Sequence, residues 1–266
     1  MKLIITKHNL GLWAASYICK RWQARSKDPF VLGLPTGGTV VDMYAALAGL
    51  VKNGKMSFKN IVTFNMDEYV GLPPQPAQSY HYYMKHNLFD HVDAQAQNIH
   101  ILNGMAKDLP AECAQYEAAI AQAGGIDLFL GGVGRNGHLA FNEPGSSFDS
   151  RTRVMELTES TRLANARFFE GNPALVPTQA LTVGIGTVLD AQELLFLASG
   201  ASKAEAVARL TQGEITPSWP ITALKTHTRA ALLVDMQAAA ALTGPAKTQM
   251  REALRLHPEE DIILTL

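Results

Sequence analysis

The sequence predicts an α/β fold of the doubly wound kind, a single domain over 1–266 with an open, mostly parallel sheet and helices on both faces. Three observations predict it. Short β-rich runs alternate with longer helical patterns along the chain. The runs are near-continuously apolar rather than alternating, the pattern of strands covered on both faces by crossover helices. At 266 residues and 47% apolar, the chain can bury a substantial core without metal or disulfide, and it has no fixed-period repeat, low-complexity tract or obvious interdomain linker.

Strands are expected at 3–5, 30–34, 61–64, 126–130, 194–197 and 231–234, each a short apolar run. Helices are expected between them. Thr39, with Asp42 three residues on, opens an apolar pattern at Met43, Leu47 and Leu50. Asp108 and Pro110 start a helix that Gly124 and Gly125 stop, and Ser202 with Glu205 makes a capping box for a helix that Gly213 ends. The proline-rich stretch 72–77 reads as an ordered turn or the base of a lid.

Composition excludes several classes. With 23 basic against 24 acidic side chains and a net charge of -1, a broad nucleic-acid or acidic-membrane surface is not expected. No apolar stretch approaches the ~20 residues that span a bilayer. Lys7 interrupts the apolar N-terminal run, so a secretory signal is not expected either. Cys19 and Cys113 fall in helical patterns with apolar neighbours, which points to buried thiols in a reducing cytoplasm rather than a disulfide. His81, His86 and His91 are spaced off any single helical face, and neither cysteine has a partner at ligand spacing, so no metal site is expected.

Four of the expected strands run directly into segments rich in Gly, Asn, Thr and charge: 35–39, 65–69, 131–138 and 199–203. In a parallel sheet all four lie along the carboxyl edge, where open α/β sheets bind their ligands. In Leu34-Pro35-Thr36-Gly37-Gly38-Thr39 a glycine turn leads into a helix start. That arrangement suits a phosphate held by unpaired N–H groups; the alternative is a structural turn with Thr39 as N-cap. Thr39 and Val40 stand where a Walker loop requires Lys and Ser or Thr, which disfavours a nucleotide triphosphatase. Lys203 sits in the first turn of its helix, where a cation opposes the dipole unless an anion is near, so it is either a phosphate contact or a surface lysine. Arg167, late in its helix, is either a ligand contact or a solvated structural arginine.

The run from Gly132 to Gly137 formally matches G-x-G-x-x-G, but Pro144 and Gly145 follow within two turns where a long helix is required, so dinucleotide binding is disfavoured. The same segment places His138 five residues before Glu143, flanked by Asn136 and Asn142. A histidine coupled to a carboxylate is a plausible proton shuttle near neutral pH. Asp67 and Glu68 follow a strand, where neighbouring side chains face opposite ways, so one of them should reach the site. Asp67 is the candidate, with a helix cap or turn as its alternative role.

These motifs, together with Asn65-Met66-Asp67-Glu68-Tyr69, Phe141-Asn142-Glu143-Pro144, Arg162-Leu163-Ala164-Asn165-Ala166-Arg167-Phe168-Phe169, Leu181-Thr182-Val183-Gly184 and Ser202-Lys203, resemble the glucosamine-6-phosphate deaminase (isomerase) family over about 30–203. The resemblance implies a Rossmann-like sheet and conversion of glucosamine 6-phosphate and water to fructose 6-phosphate and ammonia, with no redox cofactor or metal. It also implies a small-molecule sugar phosphate as partner, no nucleic acid or membrane, a cytoplasmic location and a homo-oligomer. Residue by residue, it makes Asp67 the base at C2 and gives ring opening to His138, assisted by Asn136 and Glu143. Gly37, Gly38, Thr39, Arg167 and Lys203 hold the phosphate.

Some family members have Asp where this chain has Asn136, and an amide cannot share a proton with His138. Asn136 is therefore expected to orient His138 by hydrogen bonding while Glu143 supplies the charge. Members activated by N-acetylglucosamine 6-phosphate carry a basic residue near the position of Met155. Ser146, Arg151 and Arg153 could still form an anion pocket, but weakened or absent activation is expected. Three alternatives stay open: galactosamine 6-phosphate as substrate, a 6-phosphogluconolactonase, and a non-catalytic sugar-phosphate sensor. A lactonase needs no base at C2, and a sensor need not keep Asp67, His138 and Glu143 together.

Overall fold

The apolar runs pair into one central sheet in the computed structural model, which describes residues 1–25, 29–257 and 259–266. In chain order the elements are β1 (Lys2–Thr6), α1 (Leu10–Gln23), β2 (Phe30–Leu34), α2 (Val41–Lys52), β3 (Ile61–Asn65), β4 (Asp67–Tyr69), α3 (Tyr80–Asn87), β5 (Ile99–His100), α4 (Leu109–Gln122) and β6 (Leu128–Gly132). Then follow β7 (Arg153–Glu156), α5 (Glu159–Asn165), β8 (Gln179–Thr182), α6 (Ile185–Leu189), β9 (Leu194–Ala198), α7 (Ala204–Gln212), β10 (Ala230–Asp235), α8 (Gly244–Leu256) and β11 (Ile262–Thr265). The central sheet has eight strands in the order β11-β1-β10-β9-β6-β2-β3-β5, parallel except for β11, which runs antiparallel beside β1.

Burial on both faces explains why the strands do not alternate. Leu32, Leu34, Leu128, Leu130, Leu195 and Leu197 pack on one face against Ala14 and Ile18 of α1 and Met43 and Leu47 of α2. Val31, Phe129, Leu194 and Phe196 face the other way, onto Tyr116 and Ile120 of α4 and Val207 and Leu210 of α7. Two glycines in the central strands leave room for rings from the next strand. A Cβ at Gly33 would fall 2.4 Å from the Phe129 ring, and one at Gly131 would fall 2.1 Å from the Phe196 ring.

A second, three-stranded antiparallel sheet, β4-β8-β7, was not expected from the sequence. Met66 ties it to the first sheet, donating its N–H to Leu34 O at 3.1 Å and accepting from Val183 N at 2.8 Å. The strand expected at 126–130 lies two residues later, as β6, because the Asp127 carboxylate takes the Val31 N–H at 2.9 Å.

Helix starts agree with expectation in one case and differ in two. Asp108 caps α4, accepting the Ala111 N–H at 2.9 Å, and Gly124 and Gly125 close it at positive φ. Thr39 and Ser202, however, lie inside 3-10 turns, Gly38–Val40 and Ala201–Lys203, and neither α2 nor α7 has a side-chain cap. Cys19 and Cys113 are free and buried. Among the described residues no helix is long and apolar enough to cross a membrane.

Candidate active site

From β2 the chain crosses to β3 and β5 on one side, and from β6 it crosses to β9 and β10 on the other. Connections leaving adjacent strands in opposite directions open a crevice above their carboxyl ends. The segments after β3, β2, β6 and β9 are therefore neighbours in that order, as the pairings Leu34↔Asn65, Gly33↔Phe129 and Gly132↔Leu197 require.

After β2 the backbone turns at Gly37, whose φ of 114° suits a residue without Cβ. Tyr83 of α3 donates its hydroxyl to Gly37 O at 2.8 Å and fixes the turn. No side chain caps the 3-10 turn Gly38–Val40 or the α2 helix it leads into, an arrangement suited to an anion. Lys203, Arg135 and Arg167 form a cluster of cations. Burial, followed by the charges of Arg135 and Arg167, pushes the Lys203 ammonium below the usual lysine range. Arg167, exposed in the 3-10 turn Ala166–Phe168 after α5, lies with its guanidinium 4.7 Å over the Phe168 ring. Among the described residues none of the three has a carboxylate partner. Cations that repel one another without a counter-ion suit a polyanionic ligand. The Lys203 loop is held by Asp235, which accepts from Ser199 Oγ at 2.7 Å and Gly200 N at 2.9 Å.

Asp67 and Glu68 separate as the strand geometry requires. Glu68 is 1% exposed and accepts the N–H groups of Tyr69, Tyr80 and His81, with His81 Nδ1 at 2.9 Å, so it anchors the start of α3. Among the described residues no donor reaches the Asp67 carboxylate. Burial, and then the charge of Glu68, pushes its pKa from 3.8 up to about 8. A buried carboxyl poised near the operating pH is suited to exchange a proton with carbon.

The loop after β6 is tied to the end of β8, the strand with which β4 pairs. In β4, Asp67 pairs with Thr182 of β8. Thr182 Oγ1 accepts the Phe141 N–H at 3.2 Å, and Asn142 Nδ2 donates to Val183 O at 2.8 Å. The rings of Tyr69 and Phe141 stand 5.7 Å apart. Thr182 and Val183 thus form a ledge that brings the Asp67 strand and the His138–Glu143 loop together.

His138 Nδ1 is 3.8 Å from Glu143 Oε1 and has no hydrogen-bond partner. Burial holds the imidazole below its usual pKa; Glu143 pulls the other way, and Lys203 adds to the lowering. Asn136 does not orient the ring as expected. Its Nδ2 donates to Glu143 Oε2 at 2.8 Å, and its Oδ1 takes only the His138 backbone N–H, at 3.3 Å. The short side chain at 136 reaches the carboxylate rather than the imidazole.

The residues read as an effector pocket are placed differently from one another. Arg151 pairs with two carboxylates, Glu117 at 2.6 Å and Asp190 at 2.5 Å. Arg153 Nη1 donates to Arg151 O at 3.3 Å, and the Ser146 N–H donates to Glu143 O at 3.0 Å. Sequence reasoning missed Arg135, whose only signal is a cation inside a glycine loop. It also missed Thr161, buried on α5, whose hydroxyl donates to Glu143 Oε1.

Comparison with known proteins agrees with this architecture. The family model described as glucosamine-6-phosphate isomerases/6-phosphogluconolactonase matches residues 6–233. Glucosamine-6-phosphate deaminase of Phocaeicola vulgatus is 52% identical over 229 residues, 85% of this chain and 87% of that one. Its counterpart in Serratia proteamaculans is 52% identical over 240 residues, 88% and 90% of the two chains. A solved structure described as a monomeric glucosamine-6-phosphate deaminase superposes with a TM-score of 0.86 at 43% identity, covering 91% of this chain and all 100% of that one. The 6-phosphogluconolactonase from Thermotoga maritima, at 19% identity, a TM-score of 0.68 and coverage of 88% and 98%, shares the fold. By the family model over residues 6–233, its half-identical relatives and the superposed deaminase structure, this chain belongs to the glucosamine-6-phosphate isomerase/6-phosphogluconolactonase family.

Proposed function

We propose that this chain is a glucosamine-6-phosphate deaminase, converting glucosamine 6-phosphate and water to fructose 6-phosphate and ammonia. The observation that supports the reading is the shared ledge, which links the strand of a high-pKa carboxyl, Asp67, to the loop that carries the His138–Glu143 pair. A lactonase has no use for the first of these. The deaminase relatives, at about half identity over most of the chain, support the same choice.

In this reading the substrate phosphate lies between the Gly37–Thr39 N–H groups and the side chains of Arg167 and Lys203. That grip does no chemistry but fixes the reacting carbons. Neutral His138 takes the proton from the C1 hydroxyl and returns it to the ring oxygen, with Glu143 stabilising the transient imidazolium and Asn136 steadying Glu143. The open aldose then presents C2 to Asp67. The substrate ammonium favours the ionised carboxylate, which removes the C2 proton while the ammonium gives one to the aldehyde oxygen, leaving a C1–C2 enolamine. Protonated Asp67 then delivers its proton to C1, which leaves a C2 iminium; water adds there, and ammonia leaves as the ketose carbonyl forms.

The test is formation of ammonia and fructose 6-phosphate from glucosamine 6-phosphate, run beside the galacto epimer and 6-phosphogluconolactone. Turnover of the lactone alone refutes the reading. Two buried free thiols support a cytoplasmic location. The homo-oligomer implied by the resemblance is retained as a proposal, to be checked by sedimentation velocity, beside a solved relative described as monomeric.

A further inference from the structure

Helix α5 reaches both halves of the site with two side chains one turn apart, Thr161 and Asn165. Thr161 is 8% exposed, and its hydroxyl donates to Oε1 of Glu143. This is the same oxygen that stands 3.8 Å from His138 Nδ1, while Oε2 is occupied by Asn136. Asn165 Nδ2 donates to the Tyr69 hydroxyl at 3.0 Å, two residues beyond Asp67 on β4. Arg167 follows directly in the next turn. Thr161 is itself held by the helix cap: its N–H donates to Thr158 Oγ1 at 3.2 Å, and the Thr158 hydroxyl donates to Thr161 Oγ1 at 3.1 Å.

We propose that Thr161 is a positioning residue for ring opening: it holds Glu143 Oε1 short of pairing with His138, shares that oxygen's charge, and couples the pair to the segment that carries Arg167. The physical reason is competition for one oxygen. A carboxylate oxygen that already accepts a strong hydrogen bond presents less charge to a second partner. With the hydroxyl present, His138 stays unpaired at Nδ1 and free to move protons. Without it, Oε1 has His138 as its remaining partner, and closing the gap makes the imidazole more basic. The charged groups facing His138 are Glu143 and Lys203, and the polar groups around the Glu143 carboxylate are Asn136, Thr161 and His138.

The inference rests on the deaminase reading, and the experiment separates the two. Thr161→Val deletes the hydroxyl with little change of shape, Thr161→Ala serves the same comparison should Val not fold, and Thr161→Ser keeps the donor. Steady-state rates for glucosamine 6-phosphate are measured across the pH range, alongside NMR titration of the His138 ring in the substrate-free protein. Thr161→Val is expected to lower kcat by about 10- to 100-fold, with KM changed less than about threefold. Its acid limb and the His138 titration midpoint both move to higher pH, and Thr161→Ser stays close to wild type. A Val or Ala variant with wild-type kcat and midpoint, or a Ser variant as impaired as Val, overturns the proposal. A wild-type protein that releases no ammonia defeats the deaminase reading, while the NMR midpoints still decide whether Thr161 sets the basicity of His138.

Discussion

Asp67→Asn removes the buried charge while keeping the shape, and its effects on stability and on activity should have opposite signs. The folded-state pKa of about 8 stands above the unfolded value of 3.8, so between these limits the folded protein holds a proton that the unfolded chain has released. Stability of the wild type therefore falls as pH rises through that window and levels off above it. At ~1.4 kcal/mol per tenfold, the raised pKa costs about 2 kcal/mol near pH 5, where the folded protein keeps the proton, and about 6 kcal/mol near pH 8.5. Asn carries no such dependence. Its own amide, buried without partners, shifts the curve by a constant of about 1–3 kcal/mol. The stability of Asp67→Asn relative to wild type should thus improve by about 4 kcal/mol between pH 5 and pH 8.5, read by urea unfolding at both. Over the same comparison, deaminase activity should fall by about 10²- to 10⁴-fold through loss of the base. A stability difference that stays the same across the window would mean that Asp67 ionises normally in the folded protein, and the reasoning from burial would fail.

Other expectations concern the rest of the site. Lys203→Met should raise KM for glucosamine 6-phosphate by about tenfold or more with a smaller change in kcat, and should weaken inhibition by inorganic phosphate, because the lysine grips a remote group. Asn136→Asp sets a second carboxylate against Glu143, and the added negative charge should move the His138-dependent acid limb of the rate profile to higher pH; an unchanged profile argues against the electrostatic account. With Arg151 already paired to Glu117 and Asp190 and Met155 in place of a cation, saturation curves with and without N-acetylglucosamine 6-phosphate should superimpose, and a marked leftward shift would refute this.

The central sheet was legible because its strands obey one rule, apolar on both faces, and the carboxyl-edge segments were legible because their composition breaks that rule. What escaped depended on partners far along the chain. β4 is three residues long and β7 is four, two of them charged, so neither has a periodic signal of its own; each becomes a strand only against β8. Thr39 and Ser202 look like caps in sequence, but each lies in a 3-10 turn that precedes its helix, leaving N–H groups uncapped where an anion is expected. The bond from Thr161 to Glu143 spans 18 positions and that from Ser199 to Asp235 spans 36, distances at which no local pattern exists. Asn136 was placed beside the right residues, yet which of them its amide touches depends on a reach that spacing does not encode.

The phenylalanines seated over Gly33 and Gly131 have a mechanical consequence. Sliding either neighbouring strand by one residue would drive a ring into a side chain, so β2, β6 and β9 are keyed like teeth in a lock. The floor of the crevice is therefore rigid, and any yielding needed to admit or release a sugar falls to the segments beyond the strand ends.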